Sequence, residues 1–191
     1  ITAKATDLAS VPPAPVKALL PEQAATLLTE TTDPETLAFH AIGLFAGLRV
    51  SEIKALDWRD VDLPGGLITV SAQIAKTRSR RLVPILPNLK KWLQPIAKAS
   101  GQIITRDLRI HHEAARESAK ITPWPSNAMR HSFVSYRLAA TGNAAQTALE
   151  CGHTQSVLFR DYREVVKPKD AKRYFSIVPA KKGKKIIQFS A

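Results

Sequence analysis

Cysteine is almost missing from this chain: its 191 residues hold one, Cys151, so no internal disulfide can form, and a reducing compartment suits it. Acidic residues are scarce too. Sixteen Asp and Glu stand against 28 Lys and Arg, a formal charge of +12 at pH 7, with a pI near 10.1. No apolar run reaches the roughly 18 residues that a membrane span needs. Residues 1–10 lack the basic, apolar and small-residue order of a secretory signal, so the expected location is cytoplasmic and no membrane partner is expected. No glycine-rich phosphate loop is present, which removes support for nucleotide hydrolysis. The histidines His40, His111, His112, His131 and His153, taken with Cys151, make no trustworthy ligand spacing; neither a metal nor another cofactor is expected.

What the chain does have is basic charge and enough apolar residues, 45%, to build a core. A cationic excess of this size favours a polyanionic partner, because neutralising phosphates releases counterions. Ribosomal or membrane-surface roles are the competing explanations of the charge alone.

Along the chain, residues 1–20 read as a linker, since Val-Pro-Pro-Ala-Pro cannot hold a helix. Pro21 opens a short helix. Asp33-Pro34-Glu35 opens another, with an N-cap, a first-turn proline and an acid near the positive helix end. That second helix is apolar on almost every face through Phe45, which marks it as buried; Gly47 ends it and Ser51 caps a short helix to about Leu56. Between Leu67 and Leu86, two β-branched runs bracket the basic stretch from Lys76 to Arg81, which predicts a small antiparallel sheet with a basic hairpin tip. Pro84 argues for an edge strand. Helices are expected again over about 87–98, 106–119, 127–141 (capped by Ser126) and 143–150, and a last one carries Tyr162. The fold class is therefore mainly α with a small antiparallel β-sheet (α+β). The catalytic domain is drawn at 21–167, followed by a basic tail over 168–191.

Five residues have a combination of chemistry and order that none has alone. Arg49 stands in Ala-Gly-Leu-Arg-Val-Ser-Glu; Arg130 and His131 are neighbours; His153 follows Gly152; and Tyr162 comes last. Two fixed guanidinium groups can hold the non-bridging oxygens of a phosphodiester, an imidazole can handle a proton or bond the phosphate, and a phenol can attack phosphorus. No metal is needed. Taken singly, each has a plainer reading: Arg49 as a helix-end partner of Glu52 three residues on, Arg130 as surface, His153 as a helix cap, Tyr162 as an amphipathic-helix aromatic. Tyr136 and Tyr174 are the competing phenols and are taken as structural.

Together, Ala46-Gly-Leu-Arg-Val-Ser-Glu-Ile53, the Lys76 hairpin, Met129-Arg-His-Ser-Phe133, Cys151-Gly-His153 and Tyr162 resemble the catalytic domain of the tyrosine recombinases, the phage-integrase family. The resemblance covers about residues 20–168, with 23 positions from Arg130 to His153 and nine from His153 to Tyr162. It implies the fold of a DNA breaking-rejoining enzyme and cleavage through a 3′-phosphotyrosine. Arg49 and Arg130 would bind the scissile phosphate, His153 would hydrogen-bond it, Lys76 would be the general acid for the leaving 5′ oxygen, and Tyr162 the nucleophile. Arg78, Arg80 and Arg81 would track DNA phosphates. Glu52 and His131 would support the site without joining the chemistry. One position departs from the family: Asn127 stands where a histidine, less often a lysine, is usual, and an amide cannot act as a base. It is grouped with the catalytic residues by position. The resemblance further implies double-stranded DNA as partner, a tetramer on DNA in the full reaction with a monomer in isolation, and an N-terminal DNA-binding domain ahead of the linker. The apolar end of the tail, Ile186 to Phe189, is expected to dock on a neighbouring protomer. The competing functions are a type IB topoisomerase-like enzyme and a catalytically weak DNA-binding module, the latter because of Asn127.

Overall fold

The computed structural model describes residues 17–75, 78–162 and 166–180. At its centre lies α2 (Pro34–Phe45), whose residues from Ala38 to Phe45 are all buried, as expected of a helix apolar on nearly every face. Its start follows from the sequence: Asp33 Oδ2 accepts the Thr36 backbone N–H at 2.9 Å and the Thr36 hydroxyl at 2.6 Å. Around it pack α1 (Pro21–Glu30), α3 (Val50–Ala55), α4 (Pro87–Leu93) and α6 (Ala128–Thr141). α5 (Arg109–Ser118) leans on α1, and α7 (Ala144–Cys151) and α8 (Gln155–Tyr162) complete the site end of the molecule.

The sheet has three antiparallel strands in the order β1 (Val61–Asp62), β2 (Leu67–Val70), β3 (Arg81–Pro84), pairing Ile68 with Val83 and Leu67 with Pro84. Pro84 lies on the outer strand, where its missing N–H costs no ladder bond. β1 was not legible in the sequence because two residues carry no periodicity. β3 packs on α7, which ties the sheet to the site.

Both ends of the expected catalytic domain need correction. Leu19 sits inside the core with 2% of its surface exposed. Its N–H donates to Ser132 Oγ at 2.8 Å and its carbonyl accepts the Tyr136 hydroxyl at 2.9 Å, so the end of the supposed linker is part of the fold. Beyond 167, α9 (Pro168–Phe175) packs along α6 and buries Ala171 and Tyr174. The Tyr174 ring stacks on Tyr136 at 4.1 Å and its hydroxyl donates to Leu44 O at 2.7 Å. Trp92 Nε1 donates to Ile177 O at 3.1 Å. The lysine run that follows, from Lys181 to Lys185, coloured the reading of 168–180 and hid two core anchors, so the tail proper begins later than expected. The helix carrying Tyr162 is accordingly not the last. Ile186 to Phe189 and most of the linker lie outside the described residues.

Two of the expected caps also move. Glu52, not Ser51, closes the start of α3: its Oε2 accepts the Arg49 N–H at 2.9 Å, because Arg49 and not Ser51 is the N-cap. Asn127, not Ser126, occupies the N-cap of α6, in a left-handed conformation (φ 51°) that asparagine tolerates.

Candidate active site

Four segments distant in sequence meet at one open cleft of about 620 Å³, with Arg49, Asn127, Arg130, His131, His153 and Tyr162 in its wall. Turns position the two arginines. Gly47 has φ 65°, and a Cβ there would come within 2.3 Å of Phe133, so only glycine lets the end of α2 pass α6 this closely. Gly152 (φ 61°) ends α7 and leaves the Cys151 and Gly152 carbonyls facing back toward the arginines. Arg130 then donates through Nη1 to Gly47 O at 2.6 Å and through Nη2 to Cys151 O. Arg49 donates through Nη2 to Gly152 O at 3.1 Å and through Nη1 to Glu52 at 3.0 Å. Each guanidinium has five donors, so both keep N–H groups beyond those bonds.

The electrostatics are those of an anion site. Burial alone would raise the Glu52 carboxyl, but hydrogen bonds from Arg81 and the Arg49 backbone, with both guanidinium charges, hold it at about 2. One carboxylate thus stands against three nearby arginines. Burial lowers Arg130 to about 10, still a cation at neutral pH. His153 is pushed down to about 4 by burial and then by the Arg130 and Arg49 charges, and its buried Nε2 has no protein partner. Tyr162, 3% exposed, has its phenol pushed up to about 12 by burial, with Arg130 opposing. Its ring is packed in a small second cluster with Phe133, Cys151 and Leu158.

Arg81 is a correction. Expected to track DNA phosphates, it turns inward: Nη2 and Nη1 fork onto Glu52 at 2.6 and 3.1 Å, and Nε donates to Glu150 O. A fully buried carboxylate needs a second counter-charge, because Arg49 must also face the cleft. Arg78 and Arg80 are exposed. Lys76 lies outside the described residues. The Arg49–Glu52 pair expected from spacing forms, and Asn127 is exposed at the cleft rim, with Ser126 Oγ at 3.5 Å as its side-chain partner. The sequence reading missed Lys54, an exposed residue of the cleft wall one turn beyond Val50; its signal was its position on the helix that Arg49 opens. His131, expected to support the site, has its Nδ1 2.6 Å from Tyr162 Oη.

Among the described residues no three His, Cys, Asp or Glu side chains gather as metal ligands, and no helix is long and apolar enough to cross a membrane. The family profile described as "Phage integrase family" matches residues 17–167, most of the chain. The chain belongs to the phage integrase family. It is 32% identical over 159 residues to tyrosine recombinase XerC of Xanthomonas campestris pv. campestris (strain B100), covering 75% of this chain and 48% of the relative. Against XerC of Actinobacillus pleuropneumoniae serotype 7 (strain AP76) the identity is 28% over 185 residues, covering 86% of this chain and 60% of the relative. This integrase-family chain therefore spans about half the length of the curated relatives it matches. In fold it is similar to the crystal structure of XerA recombinase, with a TM-score of 0.66, 18% identity, and coverage of 86% of this chain and 66% of that one.

Proposed function

We propose that this chain is the catalytic part of a site-specific DNA recombinase that cuts and rejoins strands through a 3′-phosphotyrosine on Tyr162. The observation that carries this reading is the convergence of Arg49, Arg130, His153 and Tyr162 on one cleft from four separate segments. The spare guanidinium donors grip the non-bridging oxygens of the scissile phosphate, and their charge is worth most in the pentacoordinate transition state. The free Nε2 of neutral His153 adds a hydrogen bond to the same phosphate. Tyr162 Oη attacks phosphorus in line, and the 5′ oxygen leaves with a proton from Lys76. The covalent phosphotyrosine keeps the bond energy, so rejoining needs no ATP.

Double-stranded DNA is the partner, with Lys54 in the cleft wall and the exposed Arg78 and Arg80 offering cations to its phosphates. Two duplexes and four protomers make the full reaction, in the integration or excision of a mobile element in the cytoplasm. A nicked suicide duplex, from which the short leaving strand diffuses away, tests the chemistry: the wild-type chain accumulates a covalent adduct and Tyr162→Phe gives none. Strand exchange between two duplexes separates a recombinase from a topoisomerase-like enzyme. An adduct that persists in Tyr162→Phe overturns the assignment of the nucleophile.

A further inference from the structure

The phenol of Tyr162 is a poor nucleophile in its resting state, because burial holds its proton more tightly than usual. Something must take that proton as the oxygen attacks. Asn127 occupies the place from which the resemblance leads one to expect a base, and an amide accepts hydrogen bonds but cannot carry a proton. His153 is close, with its ring centroid 6.0 Å from that of Tyr162, yet it makes no hydrogen bond to Oη and its Nε2 is unpartnered. His131 does make that bond, at 2.6 Å from Nδ1 to Oη. Among the described residues it is the only hydrogen bond that either side chain forms.

The position of His131 explains how it can serve. It lies four residues after Asn127 on α6, and its N–H donates to Asn127 O at 2.9 Å in the first helical turn. Residues four apart share a helix face. The face that presents Asn127 to the cleft therefore presents an imidazole one turn deeper, directly under the phenol. We infer that His131 is a catalytic residue, the base that takes the Tyr162 proton, so that in this chain the proton-carrying group on α6 sits one turn beyond its usual place. The inference rests on the recombinase reading of the cleft.

The step balances. The Tyr162 O–H bond breaks and its proton passes to His131 Nδ1. The Oη–P bond forms as the P–O5′ bond breaks, and the leaving 5′ oxygen receives a proton from the lysine ammonium proposed above. Rejoining reverses each transfer. The groups that face His131 favour this traffic. Arg130 beside it, after burial itself, keeps the imidazole neutral and its lone pair available at pH 7. Asp161 on α8 steadies the imidazolium once it forms, and His153 is neutral. Among the described residues, α2 and α9 bring no charge to it.

The test uses nicked duplexes with a randomised core, selected by covalent capture on the wild-type chain, then adduct rates measured against pH. Wild type should show a plateau at neutral pH that falls off only in acid, below the ordinary histidine value of about 6.5. His131→Gln keeps the size and a hydrogen-bond acceptor but cannot hold a proton. Its rate should drop about 10²–10⁴-fold at neutral pH, the usual span of a general base, and rise tenfold per pH unit with no plateau. DNA affinity should be unchanged. A fluorinated tyrosine of lower phenol pKa at position 162 should recover much of that loss in His131→Gln and little in wild type. A wild-type rate and plateau in His131→Gln, with Tyr162→Phe inert, would sink the His131 assignment and leave the recombinase reading standing. Failure of the wild-type chain to capture any duplex would sink the recombinase reading itself. Should His131→Gln not fold, the wild-type profile decides alone, since a rate rising through neutral pH without a plateau excludes an imidazole base.

Discussion

Two pairs of histidines sit in this molecule, and they have opposite fates. His40 lies in the core and half-buried His112 packs against it, with His40 Nε2 and His112 Nδ1 2.8 Å apart and His40 Nδ1 meeting the Thr31 hydroxyl at 2.9 Å. Thr31 donates onward to Leu27 O, so its oxygen accepts from His40 Nδ1–H, and His40 Nε2 then accepts from His112. Phe39 and Trp124 pack around the pair, and burial first, then the His112 charge, pushes His40 down to about 3. Both nitrogens of His40 and the Thr31 hydroxyl have partners. His131 and His153 are also kept neutral, by burial and Arg130, but one holds the phenol and the other has an orphan nitrogen. Closed networks rigidify a core; an unfinished one waits for a ligand.

Four experiments break or sharpen that contrast. The largest effect belongs to Tyr162→Phe, which removes the hydroxyl bonded to His131 and should bring adduct formation to zero, read by denaturing gel, with unaltered DNA affinity. Next, His153→Ala should lower the cleavage rate about 10²–10³-fold, as loss of one preorganised phosphate donor does. Thermal melting should move little, because no protein partner is left behind.

In the core pair the expected losses are of stability rather than rate. His40→Leu leaves Thr31 Oγ without the donor it accepts from and His112 Nδ1–H without its acceptor, and should cost about 1–3 kcal/mol. That is read as a fall of about 2–4 °C in melting temperature per kcal/mol, with normal cleavage by the folded fraction. The last test is the acid slope. Because the fold depresses the His40 pKa, the unfolded chain binds more protons in acid; stability is therefore complete above about pH 6.5 and is lost as pH falls toward about 3. The slope is about 1.4 kcal/mol per pH unit for this one histidine. Replacing the pair together (His40→Leu with His112→Phe) should make the melting profile shallower between pH 5 and 6.5, leaving the slope that His131 and His153 contribute. An unchanged slope would mean that the core pair is not what titrates.

Much of this was legible in the sequence, and the reasons are local. Asp33-Pro34 set a helix start by capping, α2 announced its burial by being apolar all round, and the β-branched runs at 67–70 and 81–84 paired as expected. Arg49, Arg130, His153 and Tyr162 could be picked out by their order and separation. What failed was local signal overruled by distant partners. Residues 168–180 read as tail, by continuity with the lysine run beyond them, although Ala171 and Tyr174 are core, and Arg81 read as a surface cation although Glu52 claims it.

The amino-acid order by itself determined which chemistries are available here: two guanidinium forks, two imidazoles, one phenol, an amide in place of a base, and a cationic surround. Only the tertiary structure decided which arginine faces the cleft and which locks a buried carboxylate, and which imidazole touches the phenol. The physical reason is that side-chain direction depends on packing between segments far apart in the chain, such as Arg49 against Gly152 and His131 against Tyr162. Spacing within one segment fixes a face, but only a neighbouring element fixes what that face meets.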